Sequence, residues 1–184
     1  MNRHLSRTIV MQSLYEWDFR QELDIDTIAK RNVSQFDAET DGDYITSSIH
    51  GVMKNISKID PLIQKAAPEW PIDQIAVIDK TVLRLATYEL LIAREVPPKV
   101  VINEAVELAK AFGSDNSSKF INGVLGTLYR QSDLPQETEV DEILKENEAK
   151  AAEVPALSHH TKAHVMTDEE VIVEEDAPGH DEEA

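Results

Sequence analysis

The start of the chain carries three basic residues that could bind a phosphate group. Arg3, His4 and Arg7 lie within five positions, and the first acidic residue of the chain is Glu16. Basic side chains of this kind bind nucleic acid by neutralising its phosphates and releasing counterions. More often, however, such residues are simply the solvated face of an ordinary helix. Taken from the residues alone, both interpretations stay open.

A second group of residues combines aromatic rings with an amide and an amino group. Phe120 directly follows Lys119, Asn116 lies just before them, and Tyr15 lies in the N-terminal segment. Single-stranded bases stack on aromatic rings, each contact contributing about 1 to 3 kcal/mol. A lysine meets phosphates and an asparagine reads base edges. The alternatives are core packing for the two rings and a turn for Asn116.

Charged residues also mark the polar side of a predicted helix in the middle of the chain. Asp79 and Lys80 are adjacent there, and Arg84 and Glu89 follow at helical spacing. Such a run is most often a salt-bridged face in contact with solvent.

The chain offers little for catalysis. It has no cysteine, no Gly-rich phosphate loop and no paired-histidine helix motif. Three histidines, His159, His160 and His164, lie in an acidic stretch where a metal site would lack fixed geometry. The sequence therefore predicts a binding protein that is not an enzyme and that uses neither a metal nor a cofactor.

Apolar residues repeat at three- and four-residue steps through six segments, the pattern of amphipathic helices. The predicted helices cover residues 4–20, 24–36, 45–63, 73–94, 98–112 and 117–128. No segment alternates with a period of two for long enough to indicate a strand. The predicted fold class is all-α, a compact bundle of about six or seven helices.

Three local signals predict how these helices begin and end. Gly113 is expected to take the left-handed conformation that closes a helix, and Ser117 to cap the next one. Asp60 followed by Pro61 predicts a kink or a restart, because proline disrupts a helix interior.

The negative charge is concentrated at the C-terminal end. The formal net charge is −17, of which residues 1–130 contribute −3 (15 basic, 18 acidic) and residues 131–184 contribute −14 (3 basic, 17 acidic). We therefore predict a helical domain over 1–130 and an acidic, largely disordered tail over 131–184. Within that tail a short, weakly anchored helix is expected near 139–152. Because the domain over 1–130 is nearly neutral, a local basic patch on it can still bind RNA.

Long apolar stretches are missing from the sequence. No run approaches the roughly 18 residues needed to cross a bilayer, and the N-terminus lacks the apolar core of a signal peptide. The sequence predicts a soluble cytoplasmic protein without membrane contact.

Three separated motifs, in this order, resemble the NusB family of bacterial transcription antitermination factors. They are LYEWDF (14–19), IDKTVLRLATYEL (78–90) and PKVVINEAVELAKAFGSDNSSKFINGVL (98–125). The resemblance covers roughly residues 3 to 130 and implies the same helical fold. It also implies binding of single-stranded boxA RNA in ribosomal RNA leaders, together with the small-subunit ribosomal protein NusE, within the RNA polymerase antitermination complex.

The resemblance also assigns roles to individual residues. Arg3 and Arg7 match an arginine-rich stretch that contacts boxA, although Leu5 and Ser6 stand where more arginine is expected. It places Tyr15 and Phe120 at matching motif positions, and it implies NusE contacts for Asp79 and Lys80. His4, Asn116 and Lys119 join the candidate RNA contacts on their own chemistry.

Two other interpretations compete with an antitermination factor. One is the NusB-like accessory domain of an RNA methyltransferase, which is disfavoured because only 54 residues follow Arg130. The other is a protein-interaction module with weak or no RNA binding. The sequence leaves the oligomeric state open between a monomer and a homodimer.

Overall fold

A computed structural model describes residues 2–20, 23–34, 36 and 39–153 of the chain. Within these residues the protein is helical and contains no strand, which confirms the predicted all-α fold class. The helices are α1 (Arg3–Phe19), α2 (Ile25–Val33), α3 (Gly42–Ala66), α4 (Val77–Thr87), α5 (Pro98–Phe112), α6 (Ser117–Gln131) and α7 (Thr138–Glu153), with a π-helix at Tyr88–Ala93. The predicted disorder of the tail beyond 153 lies outside the described residues.

The apolar stripes of these helices meet in one core, with α4 near its centre. Helix α4 contacts α1, α3, α5 and α6, and every residue from Thr81 to Thr87 is buried. The regular stripe predicted for α3 is buried as expected, apart from the partly buried Ile56. A helix surrounded in this way has little solvated surface, so an unpaired charge on its buried residues is costly.

The fourth helix differs from its predicted extent of 73–94. Helix α4 begins at Val77, and its last turns widen into the π-helix, which ends at Arg94 in a left-handed conformation (φ 54°). The ring of Tyr88 packs directly against Gly51, where a Cβ atom would come within 2.0 Å of it. This close approach requires glycine at position 51.

Two local predictions about helix breaks were wrong, the restart at Pro61 and the left-handed conformation of Gly113, whereas a kink at Pro61 stays a prediction. Pro61 lies inside α3, which continues through it to Ala66 without a restart. Gly113 ends α5 as predicted, but its backbone is extended (φ −90°, ψ −170°), not left-handed. Glycine is needed there for space, because a Cβ atom would lie 2.4 Å from the Cβ of Ser117.

The cap of α6 also differs from the prediction. Asn116 is the N-cap residue, and its side chain makes no capping hydrogen bond. Ser117 is already helical, and its hydroxyl oxygen accepts a hydrogen bond from the backbone N–H of Ser114 at 2.8 Å. This hydrogen bond therefore links the α5–α6 turn to the first turn of α6.

Helix α7 confirms the short helix predicted near 139–152, but it is packed more closely than expected. Val140 and Leu144 are buried against α5 and α6. Asn122 also donates a side-chain hydrogen bond to the backbone oxygen of Leu144 at 2.9 Å. The packed body therefore extends beyond the predicted boundary at residue 130.

Candidate nucleic-acid interface

Arg7, predicted to lie on an exposed basic face, is buried, with only 4% of its side chain exposed. Its guanidinium donates to the Glu89 carboxylate from Nε and from Nη2, each at 3.1 Å, and to Glu104 from Nη1 at 3.3 Å. The Tyr44 hydroxyl donates to Glu89 as well, at 2.9 Å. The prediction of an exposed Arg7 was therefore wrong. Its donors are occupied by carboxylates.

The charges in this buried cluster stabilise one another. Burial disfavours the cation of Arg7, but its hydrogen bond and charge interaction with Glu89 outweigh this and raise the pKa of Arg7. Burial and the nearby Glu89 carboxylate raise the pKa of Tyr44, so the phenol stays a neutral donor. The cluster ties α1 to α3, α5 and the π-helix, and it serves the fold.

Arg3 and His4 are exposed as predicted, but each has an acidic partner. Arg3 pairs with Asp41 at 3.1 Å and lies over the ring of Tyr44, 4.5 Å from its centroid. His4 Nδ1 lies 3.0 Å from Glu104 Oε2. The start of α1 therefore presents much less uncompensated positive charge than its sequence indicates.

Asp79 is buried, against the expectation of a solvent-exposed position. Burial raises the pKa of its carboxyl group, and a hydrogen bond from Ser117 only partly opposes this. Among the described residues its Oδ1 atom has no hydrogen-bond partner. Packing of α6 against α4 accounts for the burial, because Ser117, at the start of α6, lies beside Asp79.

The neighbouring charges on α4 form an ion-pair network instead of a solvated face. Lys80 pairs with Asp18 at 2.8 Å, and Arg84 pairs with Asp18 at 2.9 Å and with Asp60 at 2.8 Å. These two cations lower the pKa of Asp18 despite the opposing effect of its burial. The network joins α1, α3 and α4, and only 13% of the Lys80 side chain is exposed.

Several of the predicted RNA-binding residues do come together, along a groove at the other end of α1. Three adjoining depressions form this groove. The first, at Tyr15, shares Ile78 and Phe112 with the second. The second shares Asp79 and Ser117 with the third. We call this continuous surface the aromatic groove, defined by Tyr15, Phe112, Trp70 and Phe120.

The far end of the aromatic groove is a hollow of about 270 Å³ beside Trp70 and Phe120. The two rings meet edge to face, with centroids 5.9 Å apart and an interplanar angle of 67°. Phe120 is partly buried, so it both packs on the core and lines the groove. Asn116 also lines this hollow, and Lys119 is exposed beside Phe120.

Trp70 and Phe112 are candidate site residues that sequence reasoning missed. In the sequence, Trp70 lies between Pro68 and Pro71. Because proline disrupts a helix, Trp70 was not expected on the buried face of one, and this was the feature that could have identified it. Phe112 falls in the apolar repeat of α5, which predicts a buried position, but it is the last residue of that helix and is 40% exposed. Exposed aromatic rings beside a groove are typical of a binding surface.

The basic cluster and the aromatic groove lie at opposite ends of α1. Arg3 and Tyr15 are 12 residues apart, about 18 Å along the helix axis at the usual rise per residue.

Within the described part of the chain, no cluster of three or more metal-binding side chains is present. No helix in that part is long and apolar enough to span a membrane. The three tail histidines lie outside the described residues.

Comparison with known proteins identifies the fold that carries this groove. The family model described as "NusB family" matches residues 4–130. The chain belongs to the NusB family. A transcription antitermination protein NusB from Chloroflexus aggregans is 45% identical over 130 residues, covering 68% of this chain and 85% of the relative. Its counterpart from Clostridium novyi is 36% identical over 132 residues, covering 71% of this chain and 99% of the relative.

Solved NusB structures show the same architecture. T. maritima NusB superposes with a TM-score of 0.67 at 34% identity, covering 77% of this chain and 98% of its own. A structure of the antitermination factors NusB and NusE in complex with dsRNA gives a TM-score of 0.64 at 26% identity. That match covers 72% of this chain and 100% of the other.

Proposed function

We propose that this NusB-family chain is a transcription antitermination factor that binds boxA RNA together with NusE. In this role it recognises the nascent ribosomal RNA leader in the bacterial cytoplasm and supports read-through by RNA polymerase. Its relatives carry the name transcription antitermination protein NusB, and a similar chain has been solved with NusE and RNA. The proposed activity is assembly, not catalysis.

The observation that carries this proposal is the aromatic groove. Tyr15 and Phe120 offer ring faces for unstacked bases, as single-strand-binding proteins commonly do. The exposed Lys119 and the N-terminus of the 15-residue helix α6 supply positive charge for a phosphate. Asn116, whose side chain makes no capping bond, is free to contact a base edge.

The paired charges at the start of α1 decide how the chain binds RNA. Because Arg3, His4 and Arg7 all have acidic partners, counterion release at that end is small. Stacking in the aromatic groove then supplies most of the RNA affinity. NusE strengthens the weak complex, because each contact raises the effective concentration of the other.

Asp79 and Lys80, the two predicted contacts for NusE, have different roles in this proposal. Lys80 is partly exposed, and it stays a candidate contact for NusE. Asp79 lies beneath the groove, where it lines the same hollow as Phe120. We therefore assign Asp79 to the support of the RNA-facing residues.

A boxA titration with and without NusE tests the proposed function. The full chain should bind a boxA oligonucleotide more tightly than a scrambled one, and NusE should increase the difference. Phe120→Leu keeps an apolar side chain but removes the ring, and it should weaken boxA binding about tenfold. Equal affinity for both RNAs, with NusE bound as usual, would instead identify a protein-interaction module.

A further inference from the structure

Helix α7 fills a groove on α5 and α6 with a stripe of side chains that is only partly apolar. The stripe consists of Val140, Leu144 and Asn147, which are buried and follow one another at helical spacing. Leu144 packs over Gly126 of α6, where a Cβ atom would lie 3.1 Å from its Cδ2 atom. The groove is therefore shaped for a helix that places a large apolar side chain at this glycine.

Asn147 occupies an apolar position of this stripe without the hydrogen bonds that a buried amide requires. It is 2% exposed, and neither its Nδ2 nor its Oδ1 atom has a hydrogen-bond partner among the described residues. On the facing helix, Asn122 donates to the backbone oxygen of Leu144, but its own Oδ1 atom lacks a partner within the same part of the chain. Buried polar groups without partners oppose the packing around them. The docking of α7 is therefore weaker than its burial alone indicates.

The ion pairs between α7 and the groove lie in solvent. Glu139 pairs with Lys99 of α5 at 3.1 Å, and Asp141 lies 3.9 Å from Arg130 of α6. All four side chains are at least 46% exposed, so these pairs add little stability. They do define the charge of the site, because the rim of the groove is basic and the helix that fills it is acidic.

The segment before α7 is held more firmly than α7 itself. The buried Tyr129 donates through its hydroxyl to the backbone oxygen of Pro135, and the same hydroxyl accepts from the backbone N–H of Glu137 at 2.7 Å. The side-chain amide of Gln136 also donates to the backbone oxygen of Tyr129 at 3.2 Å. Helix α7 can therefore leave the groove by a hinge at its first turn while the connecting segment stays in place.

The fold of a similar chain does not need α7. The family model ends at residue 130, before α7 begins at Thr138. The match to the Clostridium novyi relative covers 99% of that protein in 132 residues, which leaves no room for a further helix of 16 residues. The packing of α1 to α6 is therefore complete without α7 in that relative, and α7 is an addition to the shared fold.

We propose that the groove on α5 and α6 is a protein-binding site and that α7 is its displaceable occupant. The partner is an acidic amphipathic helix, because Lys99 and Arg130 complement carboxylates and the floor accepts a large apolar side chain beside Gly126. Such a helix binds more tightly than α7 when an apolar residue replaces the asparagine of the stripe. The inference goes beyond the proposed function, since no described residue of α7 lines the aromatic groove.

Hydrogen exchange of the full chain tests whether α7 leaves the groove. Amides around Leu144 should exchange at least about tenfold faster than those in the middle of α6, because α7 opens locally. Asn147→Leu should slow their exchange about tenfold, since it removes the unpartnered amide. Glu148→Leu is the matched control, which introduces the same side chain on the exposed face and should leave the exchange unchanged. Equal protection of α7 and α6 in the wild type would overturn the inference.

A synthetic helix tests the chemistry of the partner. The probe is a fluorescein-labelled peptide of residues 138–153 that carries Asn147→Leu, and anisotropy should show that it binds the full-length wild type. The full-length Asn147→Leu variant should bind this peptide about tenfold more weakly, because its own α7 stays in the groove. A second peptide that also carries Glu139→Lys and Asp141→Lys should lose binding.

Three results would overturn the assignment of an acidic partner helix. The first is no binding of the first peptide by the wild type, and the second is equal binding of the two peptides. The third is dimerisation of the full chain in sedimentation velocity that abolishes peptide binding, which would identify a second copy of this chain as the occupant. Tight binding of the first peptide by a monomeric wild type, with loss of binding for the second, is the result that we expect.

Discussion

The two ends of helix α1 present different chemistry to a nucleic acid. At its start, Arg3, His4 and Arg7 are each bound to a carboxylate. At its end, the rings of Tyr15 and Phe19 line open depressions. A cluster of basic residues in a sequence therefore does not measure the charge available for binding. Pairing inside the folded protein decides how much of that charge reaches a ligand.

The largest expected effect comes from breaking the buried pair at the start of α1. Arg7→Met should lower the free energy of unfolding by about 3 to 5 kcal/mol, because it leaves the Glu89 carboxylate buried without its cation. Urea unfolding followed by circular dichroism measures the change. Arg3→Met is the matched control on the same helix and should cost less than about 1 kcal/mol, since Arg3 is half exposed. Equal losses for the two variants would show that the Arg7 cluster does not stabilise the fold.

Two aspartates that lie near each other should respond in opposite directions to loss of charge. Asp18→Asn should destabilise the protein by about 1 to 2 kcal/mol at pH 7, because Lys80 and Arg84 lose an anionic partner. Asp79→Asn should be neutral or stabilising by up to about 1 kcal/mol, because one oxygen of the buried Asp79 carboxylate has no hydrogen-bond partner among the described residues. Destabilisation of similar size in both variants would reveal an anionic role for Asp79 in the fold.

The same two residues should give opposite pH dependences. The lowered pKa of Asp18 means that its contribution to stability is present above the unfolded pKa, about 3.9, and is lost as pH falls through the folded value. The raised pKa of Asp79 means that its contribution is present below about 3.9 and is lost as pH rises through the folded value. Unfolding experiments from pH 3 to 7, comparing each asparagine variant with the wild type, separate the two slopes.

The smallest expected effect on stability is that of Arg3. Arg3→Glu should change the free energy of unfolding by less than about 1 kcal/mol, because the Arg3 side chain is half exposed. Its effect on boxA affinity should also be small, about threefold or less, because the arginine is already paired. A tenfold loss of boxA affinity in this variant would show that RNA displaces Asp41.

The sequence was sufficient to predict the helices, but it did not predict which charged side chains are buried. Repeated apolar residues placed six helices correctly to within a few residues, because each stripe must face a core. Arg7 was misassigned, although it falls in register with the buried Val10 and Leu14, three and seven residues later. Its partner Glu89 is 82 residues away, and no local pattern predicts that pairing.

The aromatic groove shows a similar limit. Tyr15, Asn116 and Phe120 were identified from motifs, but their common surface depends on the packing of α1, α4 and α6. Trp70 enters the groove from the segment before α4, which carries no helical periodicity. Long-range packing, not residue type, decides which aromatic residues line the groove and which lie elsewhere.

The aromatic groove should contribute more RNA affinity than the basic start of α1. The direct test compares the boxA dissociation constants of wild type, Phe120→Leu and Arg3→Glu at about 0.15 M salt, after circular dichroism has shown that all three are folded. We expect a loss of about tenfold for Phe120→Leu and about threefold or less for Arg3→Glu. The reverse order, with Arg3→Glu the weaker binder, would show that the basic start of α1 supplies more of the RNA affinity than the aromatic groove.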